Sequence, residues 1–348
     1  MLRPGPGANK FEKEVFELFE KFHMKGYIEE LAGGPRNKLD IAEQVDVSFR
    51  LLTDSAEYFF IVECKDPEDP ENLKLKSSVE QLKVRYDLVE KITKPRNFPA
   101  GTIIPVLAVN VSPDEIRTTG AIELLMNPRP YPITRDHIDY YKQLMNSYGE
   151  EYTFPLFLYE IFQIRLNYGE PLSIPALKTE RFGKTLYTFQ MPAAILLKIA
   201  YVHRATSTNI PNQAYQRMLD PARLRNIAEK LKQNSFETNF PNNIIVSADS
   251  SDCTFTPNEG SADVGILKLR NRYASLRVVD GQHRLYSFLY VDGLRDQFQL
   301  VVSALEGLSQ EEQSVVFASV NYYSKRVTPD LIDYLFSLES RRGKIGRA

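Results

Sequence analysis

An α/β (α+β) chain in two domains is what this sequence predicts, on three grounds. Helical and strand periodicities alternate through the first 150 residues. A second set of apolar strand segments lies beyond residue 187, among them NNIIVSA at 242–248. Between these strands the run LRVV enters DGQHR at 280–284 and turns into a helix. The length, 348 residues, favours two domains over one. With 43% hydrophobic and 25% charged residues, the chain carries enough apolar surface for two cores.

Element by element, residues 1–9 form a Pro/Gly leader expected to fray. Phe11, Val15, Phe16, Leu18, Phe19 and Phe22 recur at helical spacing, which predicts an amphipathic helix ending near Gly26. Strands are expected at 26–31, 45–52 and 57–64, then a helix over 77–92 and the apolar strand TIIPVLAVN at 102–110. A helix near 113–126, a short strand at 131–133 and a helix over 135–147 complete a compact unit spanning residues 1–150. Residues 151–186 read as a connecting segment, because the prolines of PLSIPALK punctuate it. In the second domain, 187–348, helices are expected at 192–204 and 220–233, and a polar loop at 249–263. Strands at 265–269, 275–279 and 297–304 follow, with helices at 309–322 and 328–340. The final residues, SRRGKIGRA, carry no terminating signal, so this domain is expected to be truncated at its C-terminus.

A net charge of −2 announces no overall positive field, although a local basic groove would serve nucleic acid equally well. Cys64 and Cys253 lie far apart and belong to no metal-ligand pattern; free thiols in a reducing cytoplasm are the simplest reading. No apolar stretch reaches about 18 residues and no signal peptide opens the chain. A cytoplasmic protein with no membrane contact is therefore expected.

Two clusters carry chemistry. On the strand IVECK, side chains alternate, so Glu63 and Lys65 share a face. Asp46, in VDVSF on the preceding strand, comes beside Glu63 if the two strands pair as a hairpin. Two carboxylates and an ammonium suit phosphodiester hydrolysis: carboxylates hold Mg²⁺ (or Mn²⁺), the metal lowers the pKa of a bound water, and lysine offsets charge on the phosphorane. Glu14, on the first helix, offers a further acidic ligand.

The pattern D-x16-E-x-K on consecutive strands after an acidic helix resembles the PD-(D/E)xK restriction-endonuclease-like superfamily. VDVSF and VECK look most like its Mrr-type branch. The resemblance covers residues 11–147 and implies an αβββαβ core, with Asp46 and Glu63 as metal ligands, Lys65 catalytic and Glu14 accessory. Gln81 and Tyr86 are similar to a glutamine/tyrosine motif of some nuclease branches, at looser spacing. The plain alternative is a set of solvated charge pairs.

In the second cluster, Asp280 is expected to cap a helix, Gly281 to allow close backbone approach, and Arg284 with the free helix N–H groups to cradle phosphate. His283 offers a proton near neutral pH and Gln282 can position a water. Arg217 in YQR, and Asn321 with Lys325 in NYYSK, look like further pocket members. The words YQRMLDPARLRNIAEKL, FPNNIIVSA, LRVVDGQHRLYSF and FASVNYYSKRV, in that order, resemble the DGQHR-domain family. That family includes DndB-type proteins of phosphorothioate DNA-modification systems and is more distantly similar to the ParB/DUF262 group, where the turn handles a nucleoside triphosphate. A scaffold role for the turn, with Arg284 as a structural ion pair, is the alternative.

Both resemblances together imply a Mg²⁺-dependent DNA endonuclease of a restriction, antiphage or modification-linked system. Its DGQHR domain would sense a nucleoside triphosphate or modified DNA, and a homodimer would cut both strands. Two other readings stand beside it: a non-cleaving, DndB-like DNA-binding regulator, and a nucleotide hydrolase with a docking N-terminal half. His23, His137 and His203 read as packing or surface residues, and Tyr140, Tyr141 and Tyr148 as a helix packing face. The basic run Lys74, Lys76, Lys83, Arg85, Lys91, Lys94 and Arg96 reads as a solvated helix face that phosphate contacts would also suit.

Overall fold

The computed structural model describes residues 4, 7–33, 45–53, 56–67, 75–93, 103–113, 128–181, 183–203, 219–233 and 242–322. Within Met1–Gly307, one compact unit, two mixed sheets of five and eight strands share a continuous apolar core. The fold class is α+β, as the periodicities predict.

The N-terminal layer follows the expected order. Helix α1 (Lys10–Met24) starts at a capping box: Asn9 Oδ1 accepts from the Glu12 amide at 2.9 Å, and Glu12 Oε2 accepts from the Asn9 amide at 3.2 Å. Its six apolar residues, Phe11 to Phe22, are all buried, each contributing about 1.5–3 kcal/mol. Strands β1 (Glu29–Gly33), β2 (Val47–Leu52) and β3 (Glu57–Lys65) pair antiparallel in sequence order. Helix α2 (Leu75–Thr93) then crosses over, and β4 (Ile103–Val109) and β5 (Tyr131–Thr134) add in parallel. The αβββαβ order is thus present. On β3, Phe60, Val62 and Cys64 face α1, whereas Phe59 and Ile61 face Val79, Leu82 and Val89 of α2. The expected helix near 113–126 falls almost wholly outside the described residues.

Helix α3 (Arg135–Tyr148) is capped at Thr134, whose amide donates to His137 Nδ1 at 3.1 Å. Burial pushes His137 down to about 4, so it caps the helix as a neutral imidazole. Residues 151–186, expected to be a connecting segment, instead hold structural elements. Helix α4 (Glu150–Phe162) is buried on nearly every face. Its Phe154 and Phe162 lie 4.9 and 5.0 Å from Phe22 and Phe60, while Tyr152 and Tyr159 lie 5.0 Å from Tyr286 and Tyr201. The prolines that suggested a linker sit at the start of β6 (Leu172–Arg181), which forms a hairpin with β7 (Lys184–Pro192).

The eight-stranded sheet continues through α5 (Ala193–Ile199), β8 (Ala200–Tyr201), α6 (Pro221–Lys232) and β9 (Ile244–Ala248). The predicted polar loop contains β10 (Cys253–Pro257), paired with β11 (Val264–Leu269); β12 (Leu276–Asp280) and, later, β13 (Gln299–Glu306) complete the sheet. The strand order is β10-β11-β6-β7-β13-β9-β12-β8, with β13/β9 and β12/β8 parallel. Residues 308–348 form a second unit. In it, helix α8 (Gln310–Tyr322) begins with a Ser309–Glu312 capping box, Ser309 N donating to Glu312 Oε2 at 2.8 Å. The expected helix at 328–340 lies outside the described residues.

Candidate functional site

Register decides the geometry of the N-terminal cluster. Val47 pairs with Val62, so Asp46 comes opposite Glu63, and Lys65 follows two residues on along the same face. Lys65 Nζ lies 3.8 Å from Glu63 Oε1, and Asp46 Oδ2 accepts from the Cys64 amide at 2.7 Å. The structure therefore brings Asp46, Glu63 and Lys65 together on the α2 side of the sheet.

It also brings Arg85, from the middle of α2, into an ion pair with Glu63, which is only 3% exposed. The basic run thus supplies at least one residue that is not solvated. Gln81 is exposed and Tyr86 packs against the apolar cluster under α2. Burial raises the pKa of Asp46, opposed by the Cys64 N–H bond and the charges of Arg85 and Lys65.

Glu14 takes no part in this cluster. Helical geometry turns it toward α3, where it pairs with Arg135 and lies 3.9 Å from Lys142. Burial works to raise its pKa, but the Arg135 bond and the charges of Arg135 and Lys142 hold it below the usual carboxylate value. The α1 acid that feels the cluster is Glu12: burial raises its pKa first, and the charge of Asp46 second. Sequence reasoning missed Glu12; the only signal at that position, the Asn-x-x-Glu spacing, is that of a helix cap.

A divalent ion does not fit this arrangement as it stands. Two carboxylates already face two cations, Glu63 is engaged by Arg85, and Asp46 spends one oxygen on a backbone amide. Among the described residues no three His, Cys, Asp or Glu side chains gather where they would hold a metal.

The DGQHR turn differs from its expectation in two ways. Asp280 ends β12 and does not cap the helix. The cap position is Gly281, at φ 92°, which has no side chain with which to cap the helix. The helix α7 (Gln282–Tyr286) has only five residues and passes into a 3-10 turn at Ser287–Tyr290. Too short to develop much of a dipole, it offers little to an anion.

Arg284 is turned the other way, onto the chain. It donates to the carbonyls of Asn242 and Asn243, the latter at 3.2 Å, and to Asp280 Oδ2 at 3.2 Å. This clamp fastens the turn to the entry of β9, and burial lowers the pKa of the guanidinium. Gln282 is buried, and His283 is half-buried. Arg217 and Lys325 lie outside the described residues, as does the side chain of Asn321 in the last turn of α8.

Gly281 is indispensable to this clamp. A Cβ there would meet Ile244 Cδ1 at 2.7 Å and Arg284 Nη2 at 3.0 Å, on a left-handed backbone. Gly281→Ala is expected to cost about 2–3 kcal/mol, from the backbone conformation and from displacing the clamp. Urea unfolding checks this; a change under about 0.5 kcal/mol would show the turn to be pliable.

Two further charged features went unread in the sequence. Asp252, fully buried, is ringed by Arg272 at 2.5 Å, Arg165 at 3.2 Å and Arg270 at 3.8 Å, while Arg277 forks onto Asp249 at 2.8 and 3.0 Å. Helix α6 buries Leu224, Ala228 and Leu231 and exposes Arg223, Arg225, Lys230 and Lys232 beside a single acid, Glu229. No alternation marks the first, and the second is scattered through an ordinary amphipathic pattern.

Residues 174–346 match the DndB family, described as DNA-sulfur modification-associated. The C-terminal half of the chain is thus DndB-like, as its four ordered words implied, and the match leaves residues 1–173 outside it. No curated protein and no solved structure matches the chain. No described helix is long and apolar enough to cross a membrane.

Proposed function

We propose that this chain is a non-cleaving, DNA-binding regulatory protein of a DNA-modification-linked system. The family match supports the DNA-modification link. The Glu63–Arg85 pair carries the non-cleaving part, because it neutralises the carboxylate a metal would need. Asp46, Glu63 and Lys65 have a structural reason to be present: with Arg85 they form a charge-balanced network under α2. The exposed basic residues of α6, Arg223 and Lys230 on one flank of its buried stripe and Arg225 and Lys232 on the other, lie inside the matched segment and are what the chain offers to phosphate.

A second reading, cleavage, is favoured by one observation: the three side chains do share one face of one sheet. The same experiment separates the two. Purified chain is titrated into fluorescent duplex DNA at several salt concentrations, and incubated with supercoiled plasmid in Mg²⁺ or Mn²⁺. Reversing Arg223 and Arg225 to Glu should weaken binding at least tenfold and flatten the salt dependence by about one unit of slope per lost phosphate contact. Plasmid should stay intact with wild type and with Arg85→Ala. Metal-dependent nicking, lost in Asp46→Ala, would overturn the non-cleaving reading; DNA binding unchanged by the α6 reversals would remove the assigned surface.

A further inference from the structure

Residues drawn from Tyr27 to Asp296 enclose a cavity of about 600 Å³, within the range of small-molecule sites. Tyr27, Tyr152, Tyr168 and Tyr273 line it, and its charged members are the cations Lys198 and Arg295 and the acids Glu151 and Asp296. Neither the turn nor the N-terminal cluster contributes a residue to it.

Its walls are fixed before any ligand arrives. Tyr27 stacks on Phe154 at 4.9 Å and 15°, and Tyr152 is held edge-on by Tyr286. Segments 166–168 and 271–273 pair like short strands: Tyr168 N donates to Asn271 O at 2.7 Å and Tyr273 N to Leu166 O at 2.8 Å. Arg272, between them, is anchored on Asp252. On the other side, Ala194 N donates to the Arg295 carbonyl at 2.9 Å, which fixes the loop carrying Arg295 to α5.

Two observations point to the occupant. Tyr273 is 1% exposed, and its hydroxyl has no hydrogen-bond partner among the described residues. A buried hydroxyl left in that state is costly, and a ligand atom that reached it would satisfy it. At the mouth, Lys198 is exposed with its ammonium 4.3 Å from the Tyr168 ring centre, and Arg295 lies 3.7 Å from Glu151. Aromatic walls, a buried hydrogen-bonding group and rim cations suit a flat heteroaromatic ring that carries an anion. An acyl chain would leave the hydroxyl unsatisfied.

We propose that this cavity binds a nucleobase with its attached phosphate, the base among the tyrosines and the phosphate at Lys198 and Arg295. The same chemistry is presented by a free nucleotide and by a base extruded from DNA. The site does not depend on the α6 surface, so either proposal can fail alone.

Calorimetric titration of the full chain with each of the four deoxynucleoside monophosphates tests the free form. Binding to a duplex with one mispaired base, compared with its fully paired twin, tests the extruded form. At least one probe should bind: a monophosphate, or the mispaired duplex in preference to the paired one. Lys198→Glu should weaken that binding at least tenfold. Tyr273→Phe should weaken it about fivefold, one neutral hydrogen bond, while leaving the melting temperature unchanged or higher. That divergence separates a ligand contact from a structural role. The proposal is overturned if no monophosphate binds and the duplexes are indistinguishable, or if both variants bind like wild type.

Discussion

Asp252→Ala should destabilise the protein by about 3–5 kcal/mol, the usual cost of removing one partner from a buried ion-pair network. Asp252 is fully buried and receives Arg165, Arg270 and Arg272, and its own amide and carbonyl bond Asp249 and Arg270. Without the carboxylate, three guanidiniums converge on an apolar methyl. Asp252→Asn keeps the shape and loses the charge, so it should recover only a minor part. Urea denaturation measures both. A loss below about 1 kcal/mol for the alanine variant would mean that water reaches the arginines. The variant should also loosen the Asn167–Arg272 bridge, and with it the Tyr168–Tyr273 wall of the cavity.

The second large effect belongs to Glu63 and Arg85, whose side chains are 3% and 13% exposed. Glu63→Ala takes from the Arg85 guanidinium its ion-pair partner under α2, and Arg85→Ala takes from the Glu63 carboxylate a cation that Lys65 only partly replaces. Each should cost about 3 kcal/mol or more. The double variant should cost less than the sum of the singles, with a coupling of about 1–3 kcal/mol. A coupling near zero would show the two groups to be independent and would remove the physical basis of the non-cleaving proposal. Because Lys65 also approaches Glu63, Lys65→Met gives a smaller control effect: its half-exposed ammonium is screened by solvent.

Much of the first layer was legible in the sequence because strict alternation fixes a strand's faces. Pairing the two strands as a hairpin was expected to bring Asp46 beside Glu63, and the Val47–Val62 register, one residue on, agrees. Helix faces were harder. Glu12 and Glu14 differ by two residues, which puts them on different sides of α1, and only tertiary packing reveals which side meets the sheet. Arg85 hid in a run of basic residues whose periodicity is that of a surface helix.

The second layer resisted for other reasons. In β6 the prolines looked like breaks, yet Pro175 pairs opposite Ile266 within the sheet. Residues 249–263 are polar enough to pass for a loop, although Cys253–Pro257 form the edge strand β10. The DGQHR words pointed to the family that residues 174–346 match, but pentapeptide chemistry suggested a phosphate cradle where Arg284 clamps backbone carbonyls. The tyrosine cavity draws residues from position 27 to position 296, and no local window contains such a site.

Helix α4 has a consequence for how the protein answers what it binds. Its rings are wedged into both sheets at once, and Glu160 accepts hydroxyls from Tyr141 on one side and Tyr201 on the other. Severing the chain before Glu150 would strip a greasy rod of half its cover, so residues 1–150 and 187–307 are not portable parts. A guest held between Tyr27 and Tyr152 leans directly on that rod, and both layers would register its arrival as one body.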